Sequence, residues 1–578
     1  MILQALTKYY EDLVKQGKVQ GQGWGPIKIS FALCIDAYGR LEQIVPTMQE
    51  EVSGRKSVLR PQTMTLPAAI KKTSGALSNF LWENSGYLLG IDQKGKPERS
   101  KVCFRTAAEL HHKILDDVDS TAAKAILKFF DTWDVDNAAS HSAIIDQYDE
   151  ITSGGNLLFR VDGCYAQDDP DIRAAWQQYN DRCDDGAVRM QCLITGKEDE
   201  IPAVHPSIKG VRDAQSSGAA LISFNASAFC SYGHEQNFNA PVGKYAAFAY
   251  TSALNHLLAD RANVQYIGDT TVVCWADGAD QRCQEIAIAA LFGEHTKCMT
   301  EEDLRGCVKK LANGIPCDEI DLDPDKRFYI LGLAPNAARL SVRFFLCDSF
   351  GRFMKNINDH YNRLDIVKPP NTDVCELTLW GLFRETVNPN SKDKAASPVM
   401  AGSVMRAVFS GSVYPASLLE AVMLRIRAER RIDWKRAAII KAYYLKNNKS
   451  YFDKEILTVA LNEKCTDIAY LLGRLFAVYE MVQKKANPGI NATIRDKYFN
   501  SAAAMPASIF PILNNLYQKH LRKLDGSALR IFFDKQVGEI KDLLGETYPA
   551  RMSLAQQGSF DLGYYHQTQK MYEKKEDK

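Results

Sequence analysis

The sequence predicts an α+β protein: a mixed α/β N-terminal region followed by a C-terminal α-helical bundle. Two patterns and the composition point to it. Up to about residue 410, short runs of β-type residues alternate with helical runs. Beyond that point, apolar residues recur at three-and-four spacing over long stretches separated by short polar segments, the pattern of packed helices. The composition, 46% hydrophobic and 24% charged, is that of an ordinary globular protein, and 578 residues is the length of roughly three or four typical domains.

The first strand expected is Lys28–Asp36 (KISFALCID), which alternates and is closed by a turn at Gly39. Further strands are expected at Asn156–Val161, Arg189–Ile194, Ala220–Phe224 and Thr270–Trp275, with a hairpin or short crossover joining Phe328–Leu333 to Leu340–Leu346. Helices are expected at Ser120–Trp133, Ala246–Asp260 and Gln284–Leu291. Tyr414-Pro415-Ala416-Ser417 opens a helical run reaching about Asn447, because proline is at home in a first helical turn. Later helices are expected around Ile468–Val482, Pro506–Leu524 and Ser527–Leu544, with the final MYEKKEDK as a frayed tail. The division is therefore 1–410 and 411–578.

Several function classes are excluded at this level. No window reaches the roughly 18 uninterrupted apolar residues of a membrane helix, and the charged, amphipathic start is not a secretory signal, so the chain reads as cytoplasmic. Fourteen cysteines are scattered without a CxxC pair, which argues for reduced, mostly buried thiols rather than zinc sites. With 71 basic and 70 acidic residues there is no global attraction to nucleic acid; such a role needs local patches or more basic partners. No Walker loop, dinucleotide fingerprint, nucleophile elbow or HExxH motif is in place, so no catalytic residue, metal or cofactor is assigned.

Two pairs invite a metal reading. His111-His112 with Asp116-Asp117 is better explained as a polar helix face, and Asp359-His360 lacks the further ligands a metal phosphohydrolase needs. The acidic stretch Asp318–Asp325 lacks the glycine and terminal glutamate of a calcium loop and reads as a solvated turn.

Polar binding candidates are stronger. Thr65–Asp92 carries Lys71, Lys72, Thr73, Ser74, Asn79 and Asn84, with Trp82, Tyr87 and Leu88 as its apolar anchors. Lysines neutralise phosphates and amides read base edges. Ser223–Pro241 packs Asn225, Tyr232, Asn237 and Asn239 among other aromatics; it fits base recognition and an Asx-rich turn equally well. Glu420–Lys449 holds nine basic and three acidic residues. Its Arg425, Arg427, Arg430, Arg431, Lys435 and Arg436 cannot share one helical face, but several exposed together would suit a phosphate backbone.

Longer strings carry a resemblance. They are the opening MILQAL, KKTSGALSNFLWENSGYLLGID at Lys71–Asp92, CLITGKEDEIPAVHPSIKGV at Cys192–Val211, SFNASAFCSYG with NFNAPVGKYAAFAYTSALNHLL, YLLGRLFAVYEMVQ, NATIRDKYF, and QGSFDLGYYHQ at Gln557–Gln567. Nearly end to end, the chain resembles the large subunit of the type I-C CRISPR Cascade surveillance complex. That resemblance implies a non-catalytic protein whose residues 1–410 sense the protospacer-adjacent motif in target double-stranded DNA and contact the crRNA end. It implies duplex opening, R-loop formation, and a C-terminal bundle that stabilises the displaced strand. The implied partners are crRNA, the Cascade backbone and crRNA-processing subunits, a recruited helicase-nuclease, and a small subunit made by internal initiation over about residues 455–578, starting at Met481 or at a codon such as that of Val459. Lys71, Lys72, Thr73, Ser74, Asn79 and Asn84 become candidates for motif and phosphate contact, with Asn225, Tyr232, Asn237 and Asn239 as a second surface. The alternatives are a metal-dependent nuclease and a purely structural subunit.

Overall fold

The computed structural model describes residues 1–53, 56–70, 76–93, 97–181, 186–261, 264–292, 300–317, 321–370, 372, 376–392, 394–447, 454–545 and 547–573. The fold is α+β, and the chain forms two compact units. Leu3–Pro206 with Ser223–Ala253 make up most of the first, and Ser207–Ile222 with Leu254–Lys578 most of the second.

In the first unit β1 (Trp24–Ile29), β2 (Phe31–Ile35), β3 (Leu41–Pro46), β4 (Met48–Ser53), β5 (Lys56–Pro67), β6 (Trp82–Glu83), β7 (Leu157–Val161) and β8 (Cys164–Tyr165) form two sheets, ordered β1-β5-β4 and β3-β2-β7-β6, with β8 on β7. The single strand expected at Lys28–Asp36 is broken at Ser30. Both Ser30 N–H and Phe31 N–H donate to the Asn156 carbonyl, and the chain changes sheets there. All five residues of β2 are buried, as a strand covered on both faces requires, and it pairs in parallel with β7. The expected turn at Gly39 is present: φ is +78°, and a Cβ would lie 2.6 Å from the Ala125 carbonyl oxygen. Ser120 caps the helix Thr121–Thr132, accepting from Ala122 and Ala123 N–H and donating to Asp169 at 2.6 Å. β9 (Arg189–Gln191) and β10 (Glu198–Glu200) make a short hairpin. β9 stops earlier than expected because Cys192 begins a turn whose Ile194 N–H meets its sulfur.

In the second unit β11 (Gln265–Ile267), β12 (Thr270–Ala276), β13 (Arg327–Asn336) and β14 (Arg339–Ser349) form an antiparallel sheet in that order, with β13–β14 the expected hairpin. The strand expected at Ala220–Phe224 does not form. Ala220 makes only an isolated bridge to Arg339, because the preceding Gln215–Gly218 turn folds the segment back. One continuous apolar core joins the sheet to the later helices, including Phe328, Ile330, Val404, Val422, Leu472 and Phe560. Residue 410 therefore lies within this unit.

The helical run expected from Tyr414 to Asn447 is two helices, Ala416–Glu429 and Trp434–Asn447. They part at Arg430, which adopts a left-handed cap with φ +52°. The helix Ile468–Ala486 is the centre of the bundle, almost wholly buried, and its chief neighbour is Leu554–Tyr572. That last helix runs into the sequence expected as a frayed tail, to Tyr572; residues 574–578 lie outside the described residues. The described cysteines are free thiols, most of them buried.

Candidate nucleic-acid interface

The block Thr65–Asp92 is organised by a buried carboxylate. Glu83 is 2% exposed; one of its oxygens accepts from Asn79 Nδ2 at 2.8 Å, the other from Asn84 N–H at 3.0 Å and Asn84 Nδ2 at 3.2 Å. Asn79 is itself buried, and its Oδ1 accepts from Ile70 N–H at 2.9 Å. Asn84 Oδ1 caps the helix Ser85–Leu88 through Gly86 N–H. Asn79 is thus a tether: it ties residue 70 to residues 79–83 across the segment that holds Lys71, Lys72, Thr73 and Ser74, four candidates outside the described residues. The anchors behave as expected. Trp82, Tyr87 and Leu88 are buried, and Trp82 Nε1 donates to the Pro67 carbonyl at 2.8 Å. Glu83 was not singled out from sequence. The available signal was one acid between two amides in an otherwise apolar run.

His111 secures this block from behind. Its Nδ1 lies 2.7 Å from the Ala107 carbonyl and its Nε2 accepts from Leu81 N–H at 2.9 Å, so both ring nitrogens are used in the neutral form. Burial pushes its pKa down to about 4. It does not lie on a polar helix face as expected. Only His112 does, between Asp116 and Asp131, and those carboxylates raise its pKa. Asp359 and His360 diverge: Asp359 faces Lys355 at the surface, while His360 is buried with Nδ1 2.6 Å from the Tyr414 hydroxyl. Among the described residues no group of three His, Cys, Asp or Glu side chains could hold a metal ion.

The segment Ser223–Pro241 is a built loop, and the turn reading of its asparagines is met at two of them. Asn237 is buried and donates to the Pro202 carbonyl at 3.1 Å; the Asn239 amide accepts from Ser231 N–H and donates to the His234 and Gln236 carbonyls. These two asparagines build turns. Asn225 and Tyr232 are instead displayed to solvent.

The model of a family described as CRISPR-associated protein (Cas_Csd1) matches residues 6–572. The chain belongs to this CRISPR-associated family. No curated protein matches it.

In this Cas_Csd1 protein the basic run at Glu420–Lys449 turns much of its charge inward. Arg436 is buried; its guanidinium donates to Glu385 at 3.0 Å, to Glu429 at 2.6 Å and to the Arg431 carbonyl at 3.0 Å. Burial pushes the Glu385 carboxyl above its ordinary range even beside Arg436 and Lys435. Arg425 faces Glu429, Arg430 donates to the Asp496 carbonyl, and Arg427 donates to Gln557 at 2.6 Å. Arg427, Arg430 and Arg431 remain exposed, Arg431 with its side chain 68% exposed, and Lys435 is partly covered, so these are the members of the set best placed for an outside ligand. Charge counting along the chain could not find this, since Glu385 lies far upstream of the run. Among the described residues no helix is long and apolar enough to cross a membrane.

Proposed function

We propose that this CRISPR-associated protein is the non-catalytic large subunit of a type I-C RNA-guided Cascade complex. In this reading it recognises the protospacer-adjacent motif in duplex DNA and promotes duplex opening and R-loop formation. It also stabilises the displaced strand and supports recruitment of a helicase-nuclease. The partners are crRNA, the backbone and crRNA-processing subunits, and target DNA; sequence specificity then rests with the guide RNA, and the protein reads only the short motif and duplex shape. The family match over residues 6–572 supports the setting. The observation that carries the site is the Ile70–Asn79–Glu83 tether, which fixes the base of a segment made of two lysines, a threonine, a serine and a glycine. Those side chain types suit phosphate and base-edge contact rather than core packing.

The test is the assembled complex carrying Lys71→Ala and Lys72→Ala, titrated against duplexes with and without the motif. Loss of phosphate contacts weakens both duplexes alike, whereas loss of base contacts narrows discrimination by roughly 1–3 kcal/mol per base. Unchanged affinity together with unchanged discrimination removes this segment from the reader role.

The same reading includes a separately made small subunit over the C-terminal helices, and the burial of the helix Ile468–Ala486 favours one of its possible starts. The helix Ile468–Ala486 begins at the Asp467 cap, which accepts from Tyr470 N–H at 2.8 Å. A product starting at Met481 lacks Leu471, Leu472, Leu475, Phe476 and Tyr479, all buried. A product starting at Val459 keeps them and the cap. Circular dichroism is expected to show a cooperative melt for 459–578 and none for 481–578. Equal cooperativity in both fragments would contradict the assignment of this helix as the centre of the bundle.

A further inference from the structure

We infer that the Ser231–His234 turn is a stacking element for an unpaired nucleobase, with Tyr232 as the ring that stacks. The inference rests on the nucleic-acid reading above and deepens it, because it assigns to this loop single-stranded or opened nucleic acid rather than intact duplex.

Tyr232 is 98% exposed, where a tyrosine ring ordinarily buries most of its apolar surface. Its backbone is in the left-handed region at φ +54°, followed by Gly233 at +73°, and His234 N–H closes the turn on the Ser231 carbonyl at 3.0 Å. Such a turn favours asparagine or glycine at both central positions, and a bulky aromatic there is disfavoured. The ring therefore gains nothing from packing and sits on a backbone that resists it.

The turn is nevertheless held firmly. The Asn239 side chain binds three backbone groups around it: Ser231 N–H at 2.8 Å, the His234 carbonyl at 3.1 Å and the Gln236 carbonyl at 2.9 Å. Asn237 fastens the loop's far side to the Pro202 carbonyl. A ring presented on a fixed turn loses little freedom on binding.

The chemistry around the ring selects the ligand. Ser223–Pro241 contains no lysine or arginine, and Glu235 is its single acidic residue. A loop without lysine or arginine is poorly suited to phosphates. The exposed side chains of Asn225, His234 and Gln236 offer hydrogen-bonding groups of the kind that read base edges. An aromatic ring stacks on the face of a base, which a paired duplex hides between its neighbours and an opened one exposes.

The test uses the full-length chain with DNA carrying 2-aminopurine, either paired in a duplex or unpaired in a short bubble. Tyr232→Asn removes the ring while suiting the left-handed backbone better, and Tyr232→Phe keeps the ring. Wild type and Tyr232→Phe are expected to quench the unpaired probe, and Tyr232→Asn is expected to lose the quenching and roughly tenfold in bubble affinity, with paired-duplex affinity unchanged. Bubble binding and quenching by Tyr232→Asn equal to wild type, or an equal loss on paired and bubble DNA, would overturn the inference. So would intact bubble binding by Tyr232→Asn with failed assembly into the complex, which would make the turn a protein contact. A wild-type complex indifferent to the motif would strike the motif-sensing function and leave the stacking result standing.

Discussion

Replacing Gly473 or Gly563 by alanine is expected to destabilise the second unit by about 2 kcal/mol or more, although alanine is the better helix former by about 1 kcal/mol. The two glycines lie on the helices Ile468–Ala486 and Leu554–Tyr572 and face each other's backbone. A Cβ on Gly473 would overlap the Phe560 carbonyl oxygen and lie 2.8 Å from both the Phe560 carbonyl carbon and Tyr564 nitrogen. A Cβ on Gly563 would overlap the Tyr470 carbonyl oxygen and lie 2.8 Å from its carbon. Backbone cannot rotate away as a flexible side chain can, so the helices must separate along the bundle's largest helix–helix interface. The same substitution at Gly538, on the helix Ser527–Leu544, meets nothing within 4 Å and is expected to stabilise by about 0.5–1 kcal/mol. Urea denaturation of the three variants checks this. If Gly473→Ala shifts the midpoint in the same direction as Gly538→Ala, the close approach is not what holds these helices.

That helix pair also shows where the sequence was legible. Ile468–Ala486 announces itself through Leu471, Leu472, Leu475, Val478 and Val482, all apolar and all buried. Its partner Leu554–Tyr572 carries no such stripe and escaped detection. Its buried face includes Gln557, Ser559, Asp561, His566 and Gln567. Those polar groups go inside because remote partners meet several of them: Gln557 takes Arg427, His566 takes the Tyr470 hydroxyl and Gln567 takes Arg474. Periodicity reports burial only when burial is apolar.

The same limit applied at the candidate site. The β12 strand and the β13–β14 hairpin were readable from their residues, whereas the sheet change at Ser30 depends on a carbonyl at Asn156. Asn79 and Asn237 resemble base-reading amides in sequence and are consumed by intramolecular bonds in the fold. Family membership was legible because long mixed-polarity strings retain a signature that short motifs lack.

Acidification from pH 7 to 5 is expected to lower the stability of both units steeply. His111, His205, His360 and His566 are buried, and burial pushes their pKa values down to about 4, 4, 3 and 4. Three of them repeat one arrangement, with Nδ1 against a tyrosine hydroxyl: His205 with Tyr250 at 2.6 Å, His360 with Tyr414 at 2.6 Å and His566 with Tyr470 at 2.8 Å. In each, Nε2 is buried with no hydrogen-bond partner, so the charged ring has nothing to replace water on that side. An unfolded histidine takes its proton near pH 6.5 and these folded ones only near pH 3–4. Between those values the unfolded state binds more protons, so stability is full above about pH 6.5 and falls as pH drops, by up to about 1.4 kcal/mol per unit for each group. Two carboxyls and His112, whose pKa its carboxylate neighbours raise, act in the opposite direction. Burial raises Asp561 well above its ordinary range and raises Glu385, so each favours the fold as pH falls. Four histidines outweigh these three groups through most of the window, and a total stability of about 5–15 kcal/mol leaves little margin. Melting temperature against pH gives the net slope, and His360→Asn, which cannot titrate, is expected to flatten it by about one proton. A melting temperature that holds or rises from pH 7 to 5 would show that these rings are not held neutral.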